Sequence, residues 1–264
     1  MSLVIPEILY SNQMRSTDAH LEYQGTTEDP KYPLVNAIDW KDWTLFRVKE
    51  GTTDILFYLT AHTYMNIDSF GWFVKTLGDS DTGFSIRVYR QTSPGVFSPL
   101  INAIDPLVSP LGLVTFPQVT VPGDTPHLIR FIVPAGKSLY VRQVALGLVL
   151  NPPIGQQVGI APPSLQQSWK LSNSMSVNGS LISRSLVRLV KEYNIDLEYL
   201  TPAFVNDLWK PFCTHALKYP FFFRWSPTNY PLDCMFAAAN SVPAPEYQKP
   251  HLMRAKMPIM GLTQ

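Results

Sequence analysis

This chain is short of charge and of cysteine. Only 16% of its 264 residues are Asp, Glu, Lys or Arg, against about 25% in an average globular protein. Its 21 basic and 20 acidic residues leave a formal net charge of +1. That balance supplies no electrostatic footprint for nucleic acid or an anionic membrane. The neutral surface left over suits extensive contact with other subunits. Two cysteines, Cys213 and Cys234, make no disulfide framework and read as buried free thiols. No run approaches the roughly 20 apolar residues of a membrane helix, so no membrane insertion is expected. The start, MSLVIPEILY, lacks the basic and long apolar regions of a signal peptide. Synthesis in a reducing cytoplasm is the expectation.

Motifs that carry chemistry are also missing. There is no HExxH, GxSxG, GxGxxG or phosphate loop. His20, His62, His127, His215 and His251 fall in no metal-ligand spacing. The expectation is a protein that is not an enzyme, with no catalytic residues, metal or cofactor. Paired acids for glycoside hydrolysis need only meet in space, but no local sequence supports them. Asp79 and Asp81 stand two apart before Gly83, as alternate oxygen ligands of calcium would. Without a third acid or a terminal Glu, a polar β-turn is the expected reading and calcium the alternative.

What is present is proline, 24 residues, about twice the usual ~5%. The prolines are scattered between short apolar runs, which favours many short strands joined by turns. Asp54–Leu59 and Asn66–Val74 are apolar runs of strand length. Gly83–Arg90 alternates, with Phe84, Ile86 and Val88 facing one way, as in a half-buried strand. Further strands are expected over Leu111–Val121, Leu128–Val133 and Ser138–Leu146. At least seven strands without a convincing helix predict a β-sandwich or jelly roll over residues 31–150, behind an N-terminal arm of residues 1–30. Trp40, Trp43, Trp72 and Tyr89 are candidates for stacking on sugar, with core packing the alternative.

Residues 151–163 are rich in Pro, Gln and Gly and read as a semi-rigid linker. Beyond them, Asn178-Gly179 signals a hairpin. Lys191–Leu200 alternates Tyr193, Ile195, Leu197 and Tyr199 against Asn194, Asp196 and Glu198. Thr201-Pro202 is a helix start, followed by an apolar stripe of Phe204, Leu208 and Phe212. Pro211 predicts a kink or a second start. Strands at Phe221–Trp225, Met235–Ala239 and His251–Leu262 complete a small α+β domain of order β-β-α-β-β-β over residues 164–264. The fold class expected is therefore mainly β, a sandwich followed by α+β.

Thr201–Pro231 is the most aromatic stretch, with nine aromatics in 31 residues. Phe221, Phe223 and Trp225 would share one face of their strand and complete the core. Phe222, Arg224 and Trp209 become candidates for a subunit interface. The ordered set Phe204, Trp209, Phe212, His215, Pro220 to Pro227, Tyr230 and Pro231 resembles the C-terminal half of structural proteins from the tail tip of tailed bacteriophages. The likeness covers residues 176–262. Separately, Asn36-Ala-Ile-Asp39-Trp40, Thr44 and Phe46, with Tyr140–Gly147, resemble the opening and closing strands of discoidin-like carbohydrate-binding modules, Phe46 standing where Trp is usual.

These resemblances imply a structural virion protein of the tail tip or baseplate, assembled in the host cytoplasm. The second domain, related to tail-tube folds, would build a homo-oligomeric ring, typically hexameric. The sandwich would hold fibres, other tail proteins or, as the alternative reading, host surface glycan.

Overall fold

The computed structural model describes residues 5–15, 19–24, 28–41, 44–59, 66–76, 85–99, 107–108, 113–122, 125–153 and 167–261. The fold is mainly β. It divides into a unit of Ile8–Leu150 and a unit of Met1–Glu7 with Asn151–Gln264.

The first unit is a β-sandwich. Its strands are β1 (Glu7–Tyr10), β2 (Ala19–Gln24), β3 (Phe46–Val48), β4 (Gly51–Leu59), β5 (Asn66–Thr76), β6 (Ser85–Ser93), β7 (Val96–Pro99), β8 (Leu107–Val108), β9 (Leu113–Pro122), β10 (His127–Val133), β11 (Leu139–Gln143) and β12 (Leu148–Leu150). Two five-stranded sheets run β2-β4-β10-β6-β7 and β3-β11-β5-β9-β8. Alternation along the strands points Ile55, Phe57, Ile86, Val88, Ile129 and Phe131 inward from the first sheet. They form one core with Phe46, Val48, Leu139 and Val141 of the second. Ile86 and Val88 are buried as the period-two pattern predicts; Phe84 lies outside the described residues.

The N-terminal arm does not stand apart. Ala19–Gln24 pairs with Leu59–Asp54 as the edge of the first sheet. Ile8–Tyr10 pairs with Leu150–Leu148. Buried Asn12 fixes the segment between them: its Nδ2 donates to Val144 O at 2.8 Å, and its Oδ1 accepts from Met14 N and Leu146 N. The polar composition that suggested an arm belongs to an edge strand with one solvated face. Most of the expected linker, residues 154–163, lies outside the described residues.

The second unit contains β13 (Gln167–Met175), β14 (Leu181–Leu200), β15 (Phe221–Ser226), β16 (Tyr230–Ala239), β17 (Glu246–Lys249) and β18 (Leu252–Gly261). Its strands follow the order β15-β16-β18-β14-β13, with β17 also on β18. The expected strand Lys191–Leu200 is the second half of one strand of 20 residues, Leu181–Leu200. Asn178-Gly179 does turn the hairpin: Gly179, at φ 79°, donates its N–H to Ser176 O at 2.9 Å. Tyr193, Ile195 and Leu197 are buried as the alternation requires. A bulge between Leu197 and Leu200 then shifts the phase, and Tyr199 adopts φ 58°. Leu200 is buried in its place.

The helix departs from its predicted stripe. Thr201 caps it, its Oγ1 accepting from Phe204 N at 3.2 Å. Pro202–Phe204 (α1) leads into a π segment, Val205–Trp209, and then α2, Lys210–Ala216, with Pro211 in its first turn. The Lys210 N–H reaches back five residues to Val205 O. A proline at 211 removes the α-helical donor for the Asp207 carbonyl and its ring crowds that carbonyl, and the wider π turn accommodates both. The extra residue rotates the apolar face to Phe204, Val205, Trp209, Phe212 and Ala216, all buried, and leaves Leu208 46% exposed.

Candidate functional site

The aromatic stretch is interior. Trp209 packs edge-on to Phe212 at 5.2 Å between ring centroids, and Phe212 edge-on to Phe221 at 5.0 Å. Phe223 meets Tyr193 at 5.2 Å, and Phe222 meets Phe236, its cross-strand partner, at 4.8 Å. Every residue of β15 is buried. The candidate interface residues Phe222, Arg224 and Trp209 are 0%, 3% and 0% exposed. They are core residues and offer no surface to a neighbouring subunit. The sequence showed that β15 is apolar on both faces but not that its own chain covers both. Arg224 is buried because Glu7 neutralises it, its Nε donating to Glu7 Oε2 at 2.8 Å.

Trp40 is likewise no stacking platform. It is 6% exposed, has φ 63°, and its backbone N–H donates to Gln143 Oε1 at 3.1 Å. The motif around it staples a loop. Asn36 Nδ2 donates to Leu45 O, and Thr44 Oγ1 lies within 3.0 Å of both Asp39 carboxylate oxygens. Trp43, the side chain of Trp72, and Asp79 and Asp81 lie outside the described residues. Among the described residues there is no group of three or more His, Cys, Asp or Glu able to hold a metal ion. Nor is any described helix long and apolar enough to cross a membrane.

Tyr89 is different. It belongs to the outer face of the sheet β2-β4-β10-β6, opposite the core. Tyr89, Leu128 and Leu56 share one row of that face, and Arg87, Arg130 and Asp54 the next. Arg130 holds Asp54 in a bidentate fork, with Nε to Oδ1 and Nη2 to Oδ2 both at 2.7 Å. Its guanidinium lies 5.1 Å from the Tyr89 ring centroid. The hydrogen bonds to Asp54 hold Arg130 charged, above its ordinary range. At the sheet edge, His20 and Tyr58 are cross-strand partners with ring centroids 4.6 Å apart. Glu22 stands beside them, 3.9 Å from His20. Tyr58, Tyr89, Asp54 and Arg130 are half-buried, and His20 and Glu22 are exposed.

The arrangement combines flat ring faces with a guanidinium–carboxylate fork that presents donors and acceptors together. Such a set recognises neutral, hydroxyl-rich ligands: rings stack on C–H faces, and the fork matches adjacent hydroxyls. Tyr58 and Tyr89 stand about 12 Å apart by strand spacing and rise, with Leu56 and Leu128 between them. Sequence reasoning singled out Tyr89 but missed His20, Tyr58, Asp54 and Arg130. Their alternation with core residues was visible; which strands stand side by side was not.

Neither a protein-family profile nor a curated protein sequence matches the chain. Among solved structures it is similar to carbohydrate-binding modules of the discoidin-like β-sandwich kind. One is the family 32 module of NanJ from Clostridium perfringens in complex with galactose, with 14% identity, 55% of this chain and 99% of that chain covered, and a TM-score of 0.35. A second Clostridium perfringens module, bound to GalNAc-β-1,3-galactose, has 14% identity, 50% and 96% coverage and a TM-score of 0.35. A pectin-binding module has 12% identity, 48% and 88% coverage and a TM-score of 0.32.

Proposed function

We propose that this chain is a non-enzymatic recognition and assembly protein of a bacteriophage tail tip or baseplate. In this reading the α+β unit builds a homo-oligomeric ring with the other tail proteins. The sandwich unit binds host surface carbohydrate. The observation that carries the proposal is the outer sheet face on which His20–Tyr58 and Tyr89–Arg130–Asp54 converge. Those residues sit on paired strands over a closed core, and such a scaffold holds them in place without a ligand. The low charge fraction and the resemblance of residues 176–262 to tail-tip proteins support the assembly part.

A glycan array probed with the purified full chain tests the recognition part. Binding to neutral oligosaccharides is expected, lost in Tyr89→Ala and Tyr58→Ala with the circular dichroism spectrum retained. A chain that binds no glycan, or whose binding survives both substitutions, refutes this site. Electron microscopy of intact particles that places the chain away from the tail tip refutes the assembly part.

A further inference from the structure

The sheet face that carries Tyr89 holds more positive charge than it neutralises. Arg87, Arg130 and Asp54 stand side by side in one row across β6, β10 and β4. Arg130 gives its Nε and Nη2 to Asp54, at 2.7 Å each. Arg87 stands directly opposite Arg130, and directly opposed residues have Cβ atoms about 5 Å apart. Two guanidiniums therefore share one carboxylate, and like charges so placed destabilise a sheet. Arg87 is half-buried and forms no ion pair among the described residues. Its Nε is buried with no hydrogen-bond partner, which is costly for a charged donor. Glu22, the other acid named on this face, belongs to β2, three strand spacings or about 14 Å away. On the other side of β6, β7 consists of Val96–Pro99 and brings no acid.

We propose that Arg87 makes this face selective for acidic saccharides, those whose rings carry a carboxylate. The proposal rests on the carbohydrate reading above and deepens it by naming the class of sugar. The charge of the row fits: two guanidiniums and Asp54 leave an excess of one positive charge, which one carboxylate cancels. The donors fit as well. Arg130 keeps its Nη1 for a ligand, and no acid among the described residues claims Arg87. A planar carboxylate meets a guanidinium in two parallel charge-assisted bonds, and a hydroxyl does not. The placement is the third argument. Tyr89 and Arg87 are two residues apart on β6 and share its outer side, about 7 Å from each other. A ring stacked on Tyr89 brings a carboxylate of its own, or of its neighbour, to Arg87. Neutral sugars use the tyrosine and the Arg130–Asp54 fork alone; the carboxylate adds a contact that they lack.

The test uses matched pairs on a glycan array probed with the purified full chain. Uronic-acid and sialic-acid oligosaccharides stand beside the same oligosaccharides with each carboxylate reduced to a hydroxymethyl group. The wild type is expected to bind at least one acidic member about tenfold more tightly than its reduced partner, the low end for charge-assisted bonds because the site is only half-buried. In Arg87→Gln, with the circular dichroism spectrum retained, that ratio is expected to fall to within about twofold; Arg87→Lys keeps the charge without the fork and is expected to lie between. The preference is also expected to shrink as salt is raised. A wild type that favours no acidic member, or a preference that survives Arg87→Gln, overturns the proposal and leaves the carbohydrate reading standing. A sulfated analogue bound as tightly as the carboxylated one overturns the choice of carboxylate. A chain that binds neither member of any pair, and no other saccharide, overturns the carbohydrate reading as well.

Discussion

Arg224 and Glu7, 217 residues apart, form an ion pair whose side chains are 3% and 13% exposed. Glu7, the first residue of β1, is counted with the second unit, and the pair fastens it to β15 of that unit. A charge so enclosed is tolerated only with its partner, because desolvation costs several kcal/mol for each ion.

Removing one charge takes from the other its buried counter-charge. Glu7→Gln is expected to destabilise the second unit by about 3–5 kcal/mol in urea unfolding. Replacing both, with Glu7→Leu and Arg224→Met together, is expected to recover most of that loss. A single-variant cost below about 1 kcal/mol would show the pair to be solvated in solution, as exposed pairs are.

The π segment decides which helix residues matter. Leu208→Ser is expected to change stability by less than about 0.5 kcal/mol, because an exposed side chain has little to lose. Phe212→Ala is expected to cost about 3–5 kcal/mol through the cavity it leaves. Trp209 Nε1 is buried with no hydrogen-bond partner. Trp209→Phe is therefore expected to cost less than Phe212→Ala, since it removes volume but no hydrogen bond. Equal effects at 208 and 212 would restore the stripe of regular helical spacing.

Burial pushes the Cys213 thiol up to about 11 from its ordinary 9.0. The thiolate is the nucleophile, so at pH 8 alkylation of Cys213 by iodoacetamide is expected to be about 100-fold slower than for an ordinary thiol. The folded value lies above the unfolded one. The neutral thiol's contribution to stability is thus fully present below about pH 9 and is lost as pH rises through about 11. Mass-resolved alkylation from pH 7 to 11 checks this. Rapid labelling of Cys213 at pH 8 would mean that the native chain opens at α2.

Much of the fold was legible because its signals are local. Period-two alternation marked Ile86 and Val88 as inward. Thr201-Pro202 marked a helix start, Asn178-Gly179 a hairpin and Pro211 a second start. The site was less legible. Trp40 attracts attention as an aromatic beside a sandwich, yet its backbone bond to Gln143, 103 residues away, holds it in the core. Phe222 and Arg224 alternate with Phe221 and Phe223, but their side is closed as well: Phe222 packs beside Phe236, Arg224 pairs with Glu7, and all of β15 is buried.

By itself, the sequence determined the strand-rich character, the absence of catalytic motifs and the change of pattern near residue 151, because composition, turn residues and side-chain period act over a few neighbours. Only the tertiary structure decided which of two apolar or two polar faces is covered. It carried Tyr89 onto one face with Tyr58, Arg130 and Asp54, buried the aromatic run around Phe222, and left Val177 and Ile182 on a ribbon with no third strand among the described residues. Period two says that faces differ; the strands and helices packed against them decide which one water touches.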